Sequence, residues 1–302
     1  MDELRQLIRE ERTDDAWRRL LRLAATTDDP NTYLQLVRSW KRLRQAATPR
    51  ANGKTVRIAL LGGATTDFLA DPLALALDAL GIATVMHRAD FNTLAHEMLD
   101  PASATATFKP DVAVVAPVAA NIPAWPAPGD DLERVRQLAR EGRDHWLGLC
   151  TRLHEHTGCE IVLDNFHDLP YRPLGNLSAT LPWEPSNFLR RLNLELGDAA
   201  PAYLHVHDVA ALAAQHGVRR WFDPRYWHHA KQPVSFDCLL PYVRSTARII
   251  GALYGRSAKC LVLDLDNTLW GGVVGDDGPD GIRVGPGDPV GEAFSAFQEY
   301  VL

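Results

Sequence analysis

Apolar side chains recur at helical spacing through the first forty residues. Leu4, Leu7, Ile8, Trp17, Leu20, Leu21 and Leu23 stand among many charges, Thr27-Asp28-Asp29-Pro30-Asn31 reads as a turn and cap, and Tyr33, Leu34, Leu36, Val37 and Trp40 resume the pattern. This predicts a hairpin of two amphipathic helices over residues 1–48. Thr48-Pro49-Arg50-Ala51-Asn52-Gly53 is a linker by composition. The period then changes. Val56–Leu61 is an apolar run ending in Gly62-Gly63, followed by a helical pattern over Asp67–Leu80. Further strands are predicted at Ile82–His87, Asp111–Pro117, Glu160–Asp164 and Ala202–Val206, with helices at Arg134–Thr157, around Arg190–Glu195, and at Pro241–Tyr254. Such alternation predicts an α/β domain over residues 52–255, its mostly parallel sheet covered on both faces in three layers. A fresh apolar strand, Cys260–Asp264, opens another domain over 259–302.

Composition removes several classes of function. The formal net charge of −6 argues against nucleic-acid and anionic-membrane binding. No apolar run is long enough to span a bilayer, and the charged N-terminus lacks a signal-peptide core, so a cytoplasmic protein is expected. Four scattered cysteines form no C-x-x-C pair and read as reduced thiols. Charge is uneven. Residues 1–50 carry eleven Lys/Arg against eight Asp/Glu, which suits either a solvated face or an acidic partner such as a carrier protein.

The chemistry concentrates in Leu263-Asp264-Leu265-Asp266-Asn267-Thr268-Leu269-Trp270. Two carboxylates one residue apart, after an apolar strand, would face one crevice and repel each other unless a cation or shared proton relieves them. Mg²⁺ suits such a pair. Asp264 is then the candidate nucleophile and Asp266 the general acid and base. A bare D-x-D after a strand would better suit a cap on a helix or turn; the four apolar residues before it and Asn267-Thr268-Leu269 after it favour the catalytic reading.

Residues 260–278, CLVLDLDNTLWGGVVGDDG, resemble the first motif of the HAD (haloacid dehalogenase-like) superfamily, D-x-D-x-T. The continuation Trp270-Gly271-Gly272-Val273-Val274-Gly275 is similar to FkbH-like proteins, the subfamily IIIC phosphatases. Trp221–Trp227, Ala230-Lys231, Gly255–Cys260 and Asn193 support the likeness. The resemblance implies a Mg²⁺-dependent glyceryl transferase and phosphatase. It would draw on 1,3-bisphosphoglycerate, or another phosphorylated small molecule, and load glyceryl on an acyl carrier protein for polyketide biosynthesis. It also implies that Asp264, Asp266 and Thr268 are catalytic. Mg²⁺ would lie on the Asp264 carboxylate and the Asp266 backbone carbonyl, with Gly271 and Gly272 in a flap. A thioester intermediate would need a cysteine, but Cys260 on its apolar strand reads as buried packing.

The α/β domain resembles the SGNH-hydrolase-like module of that family, within a flavodoxin-like architecture. Its nucleophile is missing: Ala64 takes the serine position of Gly62-Gly63-Ala64-Thr65-Thr66, and Tyr226, not histidine, stands three residues after Asp223. A binding role is the simpler expectation, with Gly62-Gly63 offering backbone N–H groups to an anion. Thr65, Thr66, Asn121, Asn165 and His228 would gather as a polar pocket. Helix caps and turns would employ the same residues. His205 and His207 share a strand face without a third metal ligand.

A HAD domain also needs a lysine and further acids, whereas the stretch after Asp266 holds Arg283 as its sole basic residue. The expectation is therefore a helical hairpin, one whole α/β domain and the opening part of a HAD-like Rossmannoid domain. Two alternatives stay open, a non-catalytic carrier-docking scaffold and an SGNH-type esterase.

Overall fold

The computed structural model describes residues 1–46 and 55–302; the expected linker at Thr48–Gly53 lies outside them. The chain divides into two compact units, Met1–Arg256 and Ser257–Leu302.

Three helices, rather than two, open the first unit: α1 (Asp2–Arg9), α2 (Thr13–Thr26) and α3 (Pro30–Ala46). Glu11 takes a left-handed conformation at φ 55°, and the Arg12 N–H closes on the Leu7 carbonyl at 3.1 Å, so the chain reverses where an uninterrupted helix was expected. The buried stripes are Leu4 and Leu7, then Ala16, Leu20 and Ala24, then Tyr33, Leu36, Val37, Trp40 and Leu43. They share one core with the α/β layer behind them. Three polar ties fix this packing. The Tyr33 hydroxyl donates to the Pro72 carbonyl at 2.9 Å, Trp40 Nε1 donates to Asp78 Oδ2 at 2.6 Å, and Arg244 donates to the Ala24 and Thr27 carbonyls at the end of α2. Arg244 thereby places a cation where unpaired helix carbonyls concentrate negative potential.

The sheet comprises β1 (Val56–Gly62), β2 (Thr84–Arg88), β3 (Val112–Ala116), β4 (Glu160–Asp164) and β5 (Leu204–His207), all parallel in the order β2-β1-β3-β4-β5. This is the flavodoxin-like doubly wound order, whose switch point lies between β1 and β3. Alternate side chains feed two cores. Ile58, Leu60, Val112 and Val114 meet α4 (Asp67–Ala79) and α12 (Phe236–Leu253); Ala59, Leu61, Ala113 and Val115 meet α7 (Leu132–Thr157) and α8 (Pro185–Asp198). Asp131 caps α7 through the Arg134 N–H, and Gly158 at φ 68° ends it. Short helices that the apolar pattern did not announce fill the connections. These are α5 (Leu94–Leu99), α6 (Ala104–Phe108), α9 (Val209–His216), α10 (Val218–Trp221) and α11 (Pro224–Ala230).

The second unit holds α13 (Val274–Asp277) and α14 (Pro289–Val301) around the aspartate loop. The predicted strand Cys260–Asp264 is absent, because no neighbouring strand among the described residues pairs with it. Its side chains are open: Val262 is 88% exposed, and Cys260 is exposed rather than packed. Apolar character favours a strand only where a ladder and a covering layer exist.

Candidate functional sites

In the first unit, the turns after β1, β3, β4 and β5 converge, as the topology requires. The Gly63 N–H donates to the Ala116 carbonyl at 2.9 Å, and the Thr65 N–H donates to the Lys231 carbonyl at 3.1 Å. The Gly63 and Thr65 N–H groups are thus consumed inside the fold and are not offered to an anion. Gly63 serves another purpose: a Cβ there would lie 1.7 Å from Asn121 Oδ1. That oxygen accepts the Val118 N–H at 2.8 Å, closing the loop after β3 where it passes against Gly63.

Of the predicted pocket residues, Thr66 and Asn165 come together, while Thr65, Asn121 and His228 do not join them. Thr65 Oγ1 donates to the Ala230 carbonyl at 2.7 Å, stapling the β1–α4 turn to the end of α11. Thr66 is buried and lines a small cavity with Ala64, Asn165, Phe166 and Trp221; it makes no side-chain cap on α4. Asn165 also lines it, but its amide is engaged, donating to Asp208 Oδ1 at 2.8 Å and accepting the Ala210 N–H at 2.8 Å. His228 is exposed on α11 and does not line this cavity. With a volume of about 40 Å³, the cavity has room for water. It is far below the ~300 Å³ lower end of ordinary ligand sites.

Beneath this rim is a network with no local sequence signal. His207 Nδ1 lies 2.7 Å from Asp164 Oδ1, and the Tyr242 hydroxyl donates to Asp164 Oδ2 at 2.6 Å. All three residues are buried. Burial, reinforced by the charge of Asp164, pushes the Tyr242 phenol well above its ordinary range. His207 Nε2 is buried without a hydrogen-bond partner among the described residues. Asn193 clamps the neighbouring loop, accepting the Phe166 N–H at 3.0 Å and donating to the Phe166 carbonyl at 2.7 Å. Sequence reading placed His207 on a strand and Asp164 at a strand end, but nothing local ties either to a tyrosine on α12.

A hydrolase triad is not assembled here. The Ala64 methyl is buried at the serine position, while Asp223 caps α11 and pairs with Arg225 at 2.7 Å. The Arg225 guanidinium and the Arg225 N–H hold the Asp223 carboxyl below its usual range.

In the second unit, residues 264–274 form a compact loop. Asp264 Oδ1 accepts the Leu265 N–H at 2.9 Å. Asp266 Oδ1 accepts both Trp270 Nε1 at 3.0 Å and the Val274 N–H at 3.2 Å. The Thr268 N–H donates to the Leu265 carbonyl at 3.2 Å, closing the turn. Asn267 is left-handed at φ 53°, and its Oδ1 accepts the Gly272 N–H at 2.9 Å. Gly272 has φ +100°, and a Cβ there would meet Asp277 Oδ2 at 2.9 Å, so this position suits glycine alone. Gly271 exchanges both backbone bonds with Arg283, at 3.0 and 2.7 Å. Arg283 in turn grips Asp288, the cap of α14. That contact holds the Asp288 carboxyl down at about 2.

Asp264 and Asp266 offer hard oxygen donors of the kind Mg²⁺ takes, one or two carboxylates completed by water and phosphate oxygens. No group of three or more His, Cys, Asp or Glu able to hold a metal occurs among the described residues. The pair thus supplies donors of a kind that Mg²⁺ takes, without a closed protein cage among the described residues.

A five-stranded parallel sheet with helices on both faces, and in the second unit a loop carrying Asp264 and Asp266, define the chain as an α/β protein. The model for the N-terminal domain of FkbH matches residues 57–251, and the chain belongs to the FkbH family. Among solved structures it is similar to the N-terminal part of the protein BF1531 from Bacteroides fragilis, described as containing a phosphatase domain complexed with Mg. Identity is 26% and the TM-score 0.69, over 94% of this chain and 69% of that one. No curated protein sequence matches. No helix among the described residues is long and apolar enough to cross a membrane.

Proposed function

We propose that the protein is a Mg²⁺-dependent phosphatase and glyceryl transferase, with Asp264 as nucleophile and Asp266 as acid and base. The observation that carries this reading is the Asp266 carboxylate held by Trp270 and Val274, two residues from an exposed Asp264 in the loop that continues an FkbH domain. Similarity to a phosphatase-containing structure complexed with Mg supports it. Magnesium held by Asp264 and the Asp266 carbonyl would neutralise phosphoryl charge.

In the proposed reaction an Asp264 oxygen bonds to phosphorus as the bond to the leaving oxygen breaks, and Asp266 gives that oxygen its proton. Asp266 then takes a proton from water, whose oxygen attacks the same phosphorus and releases inorganic phosphate, restoring Asp264. Thr268 and Asn267 keep the loop closed through both steps. With 1,3-bisphosphoglycerate, the thiol of an acyl carrier protein would attack the acyl carbon, forming a thioester as the acyl C–O bond breaks and inorganic phosphate leaves with the thiol proton, and Asp264 would remove the remaining phosphate ester. A polyketide pathway is the expected setting, and the cytoplasm the expected compartment. The first unit would position the partner; with Ala64 at the serine position and a cavity sized for water, it is not proposed as an esterase.

The test is mass spectrometry of a carrier protein incubated with the protein, Mg²⁺ and 1,3-bisphosphoglycerate. A glyceryl adduct that disappears with Asp264→Asn is the expected result. No adduct, or an adduct indifferent to that substitution, overturns the proposal.

A further inference from the structure

The N-terminal helices carry a groove that the chemistry of the aspartate loop does not use. It has a volume of about 700 Å³ and is lined by Arg5, Ile8 and Arg9 from α1 and by Arg38, Ser39 and Arg42 from α3, among others. All four arginines are exposed. Arg5 pairs with Asp2 at 3.1 Å and reaches Gln35 across the groove at 3.4 Å. No acidic side chain among the described residues pairs with Arg9, Arg38 or Arg42. Arg9, Arg38 and Arg42 thus present guanidiniums without an acidic partner along one groove, in a chain whose total charge is −6.

The spacing narrows what fits. Arg5 and Arg9 are four residues apart on α1, as are Arg38 and Arg42 on α3. Each pair forms a ladder with a rung spacing of about 6 Å. Carboxylates four residues apart on a third helix have the same spacing. Half-buried Met1 and Ile8 form an apolar floor on which such a helix would rest. A small phosphorylated molecule would want an enclosed site with buried donors, whereas this groove is open and its guanidiniums are solvated. A nucleic acid is a polyanion of a different shape, and a duplex probe separates it from an acidic helix.

We infer that the α1–α3 groove docks an acidic helix of the acyl carrier protein, the two arginine ladders pairing with carboxylates on its exposed face. This deepens the proposed function and rests on it. Charge pairing of this kind acts chiefly on association rate and is sensitive to salt. The groove would thus recruit and orient the carrier while the aspartate loop does the chemistry.

The experiment measures binding of a purified phosphopantetheinylated acyl carrier protein by fluorescence polarisation, at low and high salt. The wild-type protein, Arg38→Glu/Arg42→Glu, and Arg5→Gln/Arg9→Gln on the facing helix are compared, with circular dichroism to check that each remains helical. Expected are salt-sensitive binding by the wild type and weakening of about tenfold or more by charge reversal. In the loading assay, KM for the carrier should rise and kcat should hold. Unchanged affinity in both variants overturns the inference, as does a duplex DNA probe that binds as tightly as the carrier. If variants load glyceryl at the wild-type KM, docking at this groove fails and the proposed function stands. If the wild type neither binds nor loads the carrier, both fail.

Discussion

Trp270 Nε1 donates a 3.0 Å hydrogen bond to Asp266 Oδ1, the oxygen that also accepts the Val274 N–H. One aspartate is thus oriented by two donors, while Asp264 Oδ1 meets, among the described residues, only the N–H of its own neighbour. The two acids of the motif have unequal surroundings, as the proposed roles of nucleophile and proton carrier would require.

Removing the indole donor should misorient Asp266 without removing its carboxyl. Trp270→Phe is expected to lower kcat for phosphate release from an aryl phosphate by roughly tenfold, the scale of one hydrogen bond to a charged group. Asp264→Asn is expected to abolish release. A Trp270→Phe enzyme with wild-type kcat would show that the Val274 N–H suffices.

Asp288 links the motif loop to α14 through Arg283 and caps the helix at the Gly291 N–H. Its folded value of about 2 lies below the ordinary 3.8. Its contribution is therefore present above about 3.8 and lost as pH falls through about 2. Amide exchange across 285–301 should accelerate in that window for the wild type. In Asp288→Asn the exchange should already be faster at neutral pH and change less with acid.

Asp78 has the opposite sign. Burial raises its carboxyl above the ordinary 3.8, outweighing the Trp40 bond. A raised value means that stability is greatest below 3.8 and falls as pH rises through the folded value. Asp78→Asn keeps an acceptor for Trp40 and removes the buried charge. It should raise the urea midpoint at neutral pH, with the advantage closing towards pH 3.8. A lower midpoint at neutral pH would contradict this account.

Tyr242→Phe leaves Asp164 Oδ2 without the tyrosine donor inside the core. The expected loss is about 1–3 kcal/mol in urea unfolding. A double-mutant cycle with His207→Ala should show coupling, since both side chains bind one carboxylate. Additive losses would mean that the two contacts are independent.

An activated ester and a serine-hydrolase probe should leave the protein unmodified, and Ala64→Ser should not change that. A serine there would still lack an assembled partner, because Asp223 is committed to Arg225 and His228 stands exposed on α11. Labelling of Ala64→Ser would show that an acid–base partner is nearer than the structure places it.

Much of the doubly wound layer can be read locally. β1, β3 and β4 are apolar runs of the right length, and α7 advertises its ends through Asp131 and Gly158. The short helices α5 and α6 carry no long periodic stripe, and β2 starts at Thr84 rather than Ile82. Cys260–Asp264 has strand composition and no strand, because a ladder needs a neighbour that composition cannot supply.

The sequence by itself determined the alternation of strands and helices, the aspartate pair with its Thr268 and Trp270, and the uneven charge. Each is written in adjacent or periodic residues. Tertiary structure alone decided that Gly63 spends its N–H group on the fold and that Thr65 staples α11. It also joined Asp164, His207 and Tyr242, and brought Arg5 and Arg9 opposite Arg38 and Arg42. The physical reason is the range of the interactions. Hydrophobic period and turn chemistry act over a few residues, whereas a donor's final partner depends on which distant elements the core brings into contact.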